Sequence, residues 1–136
     1  MIIGKAKDCL NAVNGKLLQG SEAAIFQGVS INSRTIKEGE LFVCIKGENF
    51  DGHDFFGDAF RKGAAGIILS DTKNLSTDMI ANKRSPFVIQ SKNTLRALQD
   101  LASYQRSLFP FRVIAVTGTN GKSTTSKLLY DVLKKH

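Results

Sequence analysis

The chain has 136 residues, 42% hydrophobic and 23% charged, with a formal charge of +7. That length and balance fit one soluble domain with a real core and exclude a disordered tail. No apolar run approaches the ~20 residues needed to cross a bilayer. The start, Met1 to Asp8, lacks the apolar stretch of a secretory signal, so a cytoplasmic location is expected. The basic residues are scattered, with no basic run and no aromatic-basic RNA-binding motif. The positive balance therefore argues for a small polyanionic ligand, or a basic portion of a longer chain, over nucleic acid.

Cys9 and Cys44 are the only cysteines, and neither forms a C-x-x-C pair or a zinc spacing with His53 or His136. Cys44 lies in the apolar run Leu41 to Ile45, where a buried free thiol is expected.

In chain order, Ala6, Cys9, Leu10 and Val13 give helical spacing over Lys5 to Val13, and Asn14-Gly15 stops that helix. Leu17-Leu18 before Gly20 predicts a short strand. Val29 to Asn32 alternates as a half-buried strand, with Ser30 and Asn32 on its polar face. Glu38-Gly39 is a turn, Leu41 to Ile45 reads as a central strand apolar on both faces, and Gly47 to Gly52 is a loop. Asp54 is placed to cap a helix from Phe55 to Lys62, with Phe55, Phe56, Ala59 and Phe60 inward and Gly63 at its end. Ile67 to Leu69 is the next strand, Asp71 to Arg84 a polar stretch with a short helix, and Phe87 to Ile89 another strand after Pro86.

Asn93 is a cap for the longest helix, Thr94 to Leu108, whose apolar stripe is Leu95, Leu98, Leu101, Ala102 and Leu108. Phe109-Pro110 ends it. Val113 to Val116 then predicts a strand, Thr117 to Lys122 a loop, and Ser123 to Lys135 a helix with Leu128, Leu129 and Val132 inward. A lone strand and helix cannot close a parallel sheet. The expectation is an α/β domain over residues 1–92, a connecting helix over 93–110, and the first strand–loop–helix unit of a second, truncated domain over 111–136.

Thr117-Gly118-Thr119-Asn120-Gly121-Lys122-Ser123-Thr124, between a strand and a helix, reads as a phosphate-binding loop. Its glycines let backbone N–H groups turn toward phosphate oxygens, and the helix terminus adds a positive dipole end. Lys122 supplies a point charge for the β- and γ-phosphates, and the Ser123 hydroxyl is the candidate ligand for a bridging Mg²⁺. The generic motif has a glycine where this chain has Val116, so only Gly118 and Gly121 remain of its glycines. The bland reading of the segment is an ordinary strand-to-helix turn with a surface lysine.

This variant loop resembles the ATP loop of the Mur ligases, ATP-dependent amide-forming enzymes of peptidoglycan synthesis; folylpolyglutamate synthetases carry a similar loop. The region Ser33-Arg34-Thr35-Ile36-Lys37-Glu38-Gly39-Glu40-Leu41-Phe42-Val43 is similar to a signature shared by the Mur ligases that add the third peptide residue and the terminal dipeptide. Gly47 to Phe55 continues it, Gly63-Ala64-Ala65 closes it, and Asn32 stands where the family has aspartate. Gly15 to Gly20, and Thr94 to Ala102 with Arg106 and Phe109, are similar to the dipeptide-adding branch.

The resemblance implies ATP and Mg²⁺ as cofactors, with UDP-N-acetylmuramoyl-tripeptide and D-alanyl-D-alanine as substrates. It implies an acyl-phosphate route to the amide and a monomer working without nucleic acid or membrane. It makes Ser33 and Arg34, with Gly47, Asn49 and Phe50, contacts to the uridine nucleotide. It makes Gly118, Thr119, Asn120, Gly121, Lys122, Ser123 and Thr124 the ATP contacts, with Lys122 catalytic. The fragment itself is expected to be inactive, because later metal-binding residues and a third domain would lie beyond His136. On the residues alone, Ser33-Arg34 could be a strand-end turn, Phe50 a core ring, and His53 a charge-paired or capping residue beside Asp51 and Asp54. The alternatives are the sibling ligase that adds the third residue, and a non-ligase nucleotide switch, which would not bind a uridine nucleotide through residues 1–92.

Overall fold

The computed structural model describes residues 4–76, 86–110 and 112–134. Its elements are β1 (Gly4–Lys5), α1 (Ala6–Ala12), β2 (Lys16–Gln19), β3 (Ile25–Phe26), β4 (Val29–Ser30), β5 (Leu41–Val43), α2 (Phe56–Arg61), β6 (Gly66–Leu69), β7 (Phe87–Gln90), α3 (Thr94–Ser107) and α4 (Lys122–Leu133). A single 3-10 turn, Gly52–Asp54, precedes α2.

One five-stranded sheet runs in the order β2-β7-β6-β5-β4. β4, β5, β6 and β7 are parallel neighbours, and β2 closes one edge antiparallel to β7. The apolar run at Leu41 explains why β5 is internal: each of Leu41, Phe42, Val43 and Cys44 is buried, and successive residues face opposite layers. Leu41 and Val43 join Ala6, Cys9, Val13, Ala97 and Leu101 under α1 and α3. Phe42 and Cys44 join Ile67, Leu69, Phe56 and Ala59 under α2. The result is three layers, helices–sheet–helix, in which each fully buried large side chain contributes about 1.5–3 kcal/mol.

The helix stops follow the sequence. Asn14 takes a left-handed φ of 46° after α1, and Gly63 takes 84° after α2. Asn93 caps α3, its Oδ1 accepting from the Arg96 backbone N–H at 2.9 Å.

Several expectations need correction. The half-buried strand over Val29 to Asn32 stops at Ser30, because Asn32 opens a turn. Asp54 does not cap α2; Asp51 caps the 3-10 turn by accepting from His53 N, and α2 begins at Phe56 without a side-chain cap. The inward face of α3 is only partly the expected one: Leu101 is buried and Leu98 packs half-buried against the core, Thr94 and Ala97 join them, and Leu95, Ala102 and Leu108 are exposed. The paired β1 and β3 were not foreseen.

Val113 to Val116 is not a strand and has no ladder partner among the described residues. A strand is defined by its neighbours, and none of the described residues pairs with this segment. No residue of α4 is buried, and Leu128 and Val132 are exposed, since an apolar stripe is buried only against a facing element. The short helix expected within Asp71 to Arg84 falls largely on residues 77–84, outside the described residues, as does Lys135, where the last expected helix was to end.

Candidate functional site

In parallel sheets, ligands gather where chains leave the carboxyl ends of the strands. Here the segments leaving β4 and β5 form such a place. A groove of about 380 Å³ is lined by Ile31, Asn32, Ser33 and Arg34 on one side and by Ile45, Phe50 and Gly52 on the other. Phe42 and Phe55 complete its lining. Both rings were expected as plain core; Phe42 is buried and yet also faces the groove.

The turn after β4 is built by short side chains. Ser30 Oγ accepts from the Asn32 N–H at 3.2 Å, and Asn32 Oδ1 accepts from the Arg34 N–H at 2.9 Å. An amide oxygen serves that turn as well as a carboxylate would, so asparagine at position 32 keeps the geometry and drops a charge. Lys62, from the end of α2, holds the turn from behind by donating to the carbonyl oxygens of Ser33 and Arg34, each at 2.8 Å. Ser33 is 8% exposed, while Arg34 projects to solvent.

The opposite wall is the loop from Gly47 to Gly52. Gly47 N donates to Phe50 O at 2.8 Å and Gly52 N to Ile45 O at 2.8 Å, which folds the loop back on the end of β5. A Cβ at Gly52 would stand 2.7 Å from Ile45 N, so only glycine permits that approach. Phe50 is 69% exposed, a ring presented at the groove and not a core side chain. The structure thus brings Ser33, Arg34 and Phe50 together. Gly47 and Asn49, expected beside them, lie on the same loop but do not line the groove.

His53 is hydrogen-bonded to Asp51 and does not line the groove. Its Nδ1 lies 2.6 Å from Asp51 Oδ1, and its Nε2 accepts from the Ser70 N–H at 3.0 Å. The backbone N–H of His53 is the main cause that holds the Asp51 carboxyl below its ordinary value. Lys62 and Ser70 were missed in the sequence, because a contact made across the fold leaves no local signal.

The phosphate loop forms a separate feature. Gly118 and Gly121 take φ of 144° and 78°, and Gly121 stands at the N-terminus of α4 with no side-chain cap. A Cβ built at Gly121 would meet nothing within 4 Å. The residues from Thr117 to Thr124 are exposed, and none lines a cavity found among the described residues. An open, uncapped helix start with Lys122 and Ser123 in its first turn fits an anionic phosphate group and its counter-cation. No cluster of three or more acidic, histidine or cysteine side chains suited to a metal occurs among the described residues.

A second cavity of about 220 Å³ lies between α1 and α3, lined mainly by apolar residues such as Phe26, Leu98, Leu101 and Leu108. It offers little to a charged ligand.

A three-layer unit with a mostly parallel sheet, a groove at its strand ends and a glycine-rich turn leading into an exposed helix defines an α/β protein. Residues 25–106, more than half of the chain, match the Mur ligase family, catalytic domain, and the chain belongs to the Mur ligase family. The matched segment holds the groove and ends before the phosphate loop.

The chain is 35% identical over 134 residues to the UDP-N-acetylmuramoyl-tripeptide–D-alanyl-D-alanine ligase of Bacillus subtilis, covering 98% of this chain and 28% of that protein. It is 30% identical over 131 residues to the UDP-N-acetylmuramoyl-L-alanyl-D-glutamate–2,6-diaminopimelate ligase of Clostridium perfringens, covering 95% and 26%. It is similar to the structure of MurF ligase from Thermotoga maritima in complex with ADP, with TM-score 0.67, 34% identity and coverage of 80% of this chain and 23% of that one. MurF from Acinetobacter baumannii superposes with TM-score 0.82 at 25% identity, over 99% of this chain and 28% of that one. The chain spans about a quarter of the length of the curated relatives it matches. Among the described residues, no helix is long and apolar enough to cross a membrane.

Proposed function

We propose that the groove holds the uridine-diphosphate end of a UDP-N-acetylmuramoyl-peptide, and that the loop Gly118 to Thr124 holds the phosphates of ATP. The observation that carries this reading is the convergence of Ser33, Arg34 and Phe50 on one groove at the strand ends. Phe50 offers an exposed ring face to a base. Arg34 offers a guanidinium to the diphosphate. Asn49 and Gly47, on the same loop as Phe50, are the further residues assigned to the nucleotide in this reading, with the Asn49 amide meeting the base edge. Residues 1–92 form the substrate-binding domain, 93–110 the connecting helix, and 111–136 the opening of an ATPase domain.

The reaction of this reading is amide formation in peptidoglycan precursor synthesis, adding D-alanyl-D-alanine to UDP-N-acetylmuramoyl-tripeptide in the cytoplasm as a monomer. The γ-phosphoryl group of ATP passes to the peptide carboxylate, and the incoming amine displaces phosphate. Lys122 opposes the charge on the transferring group, and the backbone donors at the start of α4 orient it. Mg²⁺, when bound, neutralises phosphate charge, and Ser123 is the residue in this chain that would hold it. Titration of the chain with UDP, followed by backbone NMR, tests the groove: shifts should cluster at residues 31–34 and 47–52. Shifts confined to Lys5 to Val13 would overturn the assignment.

A second reading is favoured by one observation. The 2,6-diaminopimelate ligases of Bacillus cereus and Rickettsia conorii are 37% and 42% identical over 110 and 98 residues. On that reading the acceptor is the dipeptide precursor. The full-length enzyme, supplied with each precursor and each amino component in turn, decides between them.

A further inference from the structure

The loop that presents Phe50 needs an anchor, since its own hydrogen bonds, Gly47 N to Phe50 O and Gly52 N to Ile45 O, stay near the end of β5. His53 reaches further. An ionised carboxylate only accepts, so the 2.6 Å contact to Asp51 Oδ1 places the ring proton on Nδ1. A backbone N–H only donates, so the Ser70 N–H at 3.0 Å makes Nε2 an acceptor, and the Ser70 hydroxyl, 3.1 Å from the same nitrogen, then donates to it as well. The two contacts require the same neutral tautomer. Ser70 directly follows β6, whose residues are all buried, and is therefore a fixed point. His53 is 7% exposed, and its ring ties the loop end at Asp51 to that point.

We propose that His53 is a positioning residue: through the Asp51–His53–Ser70 chain it holds the Gly47 to Gly52 loop so that Phe50 faces the groove. This rests on the reading of the groove as a nucleotide site, but the anchoring itself does not. His53 would act on ligand only through the loop.

Two variants separate the halves of the ring. His53→Asn keeps a donor for Asp51 and is too short to reach Ser70, whereas His53→Gln can present a carbonyl oxygen to the Ser70 N–H. Three measurements on the 136-residue chain are decisive: the ¹⁵N spectrum of the imidazole, hydrogen exchange at the Ser70 amide, and titration with UDP. The wild type should show the Nδ1–H tautomer and a protected Ser70 amide. In His53→Asn that protection should be lost and UDP affinity should fall about tenfold, the equivalent of one hydrogen bond. His53→Gln should recover most of both. An Nε2–H tautomer, or Ser70 exchange unchanged in His53→Asn, would overturn the proposal. Should His53→Asn fail to fold, the tautomer and Ser70 protection in His53→Gln decide. If the wild type binds no UDP, the nucleotide reading fails, while Ser70 exchange still supports or overturns the anchor.

Discussion

Lys62 Nζ donates to the carbonyl oxygen of Ser33 at 2.8 Å, across 29 positions of the chain. A second bond of 2.8 Å to Arg34 O makes the ammonium a staple between α2 and the turn after β4. Lys62→Met keeps the apolar stem and removes both bonds. UDP affinity should drop roughly three- to tenfold, with the discount that an exposed ammonium requires. Calorimetry with UDP measures this; equal affinities for the two proteins would show that the turn holds its shape without the staple. The melting temperature should move by only about 2–5 °C, which separates local loosening from unfolding.

Gly52→Ala should be more disruptive. The added methyl would meet Ile45 N at 2.7 Å and Cys44 Cα at 2.9 Å, both main-chain atoms that cannot swing away. Overpacking of this kind costs about 1–3 kcal/mol. Urea unfolding should show a lower midpoint with an unchanged slope. A variant as stable as the parent would mean that the loop can lift off β5 freely.

The buried thiols give a pH dependence with a definite sign. Burial, aided by the nearby Asp51 charge, pushes the Cys44 thiol from 9.0 up to about 12. Burial, aided by Asp8, does the same for Cys9, to about 12. Below pH 9.0 both folded and unfolded chains keep these protons; above it the unfolded chain releases them first. Stability should therefore decline between pH 9.0 and about 12, and Cys44→Ser and Cys9→Ser should flatten that decline. A thiol-specific disulfide reagent at pH 8 should react slowly with the folded chain and at once in denaturant. Rapid labelling of the native protein would contradict the burial.

The phosphate loop should bind ATP poorly in this chain. Val113 to Val116 has no ladder partner among the described residues, so nothing pre-sets the turn that follows it. Ordering each loop residue costs about 1–2 kcal/mol. Calorimetry should give a dissociation constant no tighter than ~1 mM. Micromolar, Mg²⁺-dependent binding would show that the loop is preorganised on its own. In the full-length enzyme, Lys122→Ala should abolish amide formation and leave UDP-substrate binding largely intact; loss of both would place Lys122 in the fold and not in the chemistry.

Features carried by local chemistry were legible in the sequence. Asn93 caps its helix, Gly63 ends one with a left-handed turn, and Leu41 to Cys44 is buried on both sides, as the apolar run required. What escaped is non-local. β1 and β3 are two residues each, too short for any period to show. Asp54 has the chemistry of a cap, but it is taken up in the 3-10 turn over Gly52–Asp54, and α2 starts at Phe56 without one. In the groove, Ser33, Arg34 and Phe50 were found through a family resemblance, whereas the Lys62 and Ser70 contacts depend on packing between distant elements.

Both margins of the sheet are blunt. β4 has two residues between Gly28, in a positive-φ conformation, and the Asn32 turn. β2, at the other margin, slips register between Leu17 and Gln19. A neighbouring molecule therefore finds little ladder to extend, and intermolecular strand addition, the usual first step toward fibrils, has a poor template here. At high concentration that guards against aggregation through the sheet, even though Val113 to Ala115 is itself exposed and lies in a β-prone stretch.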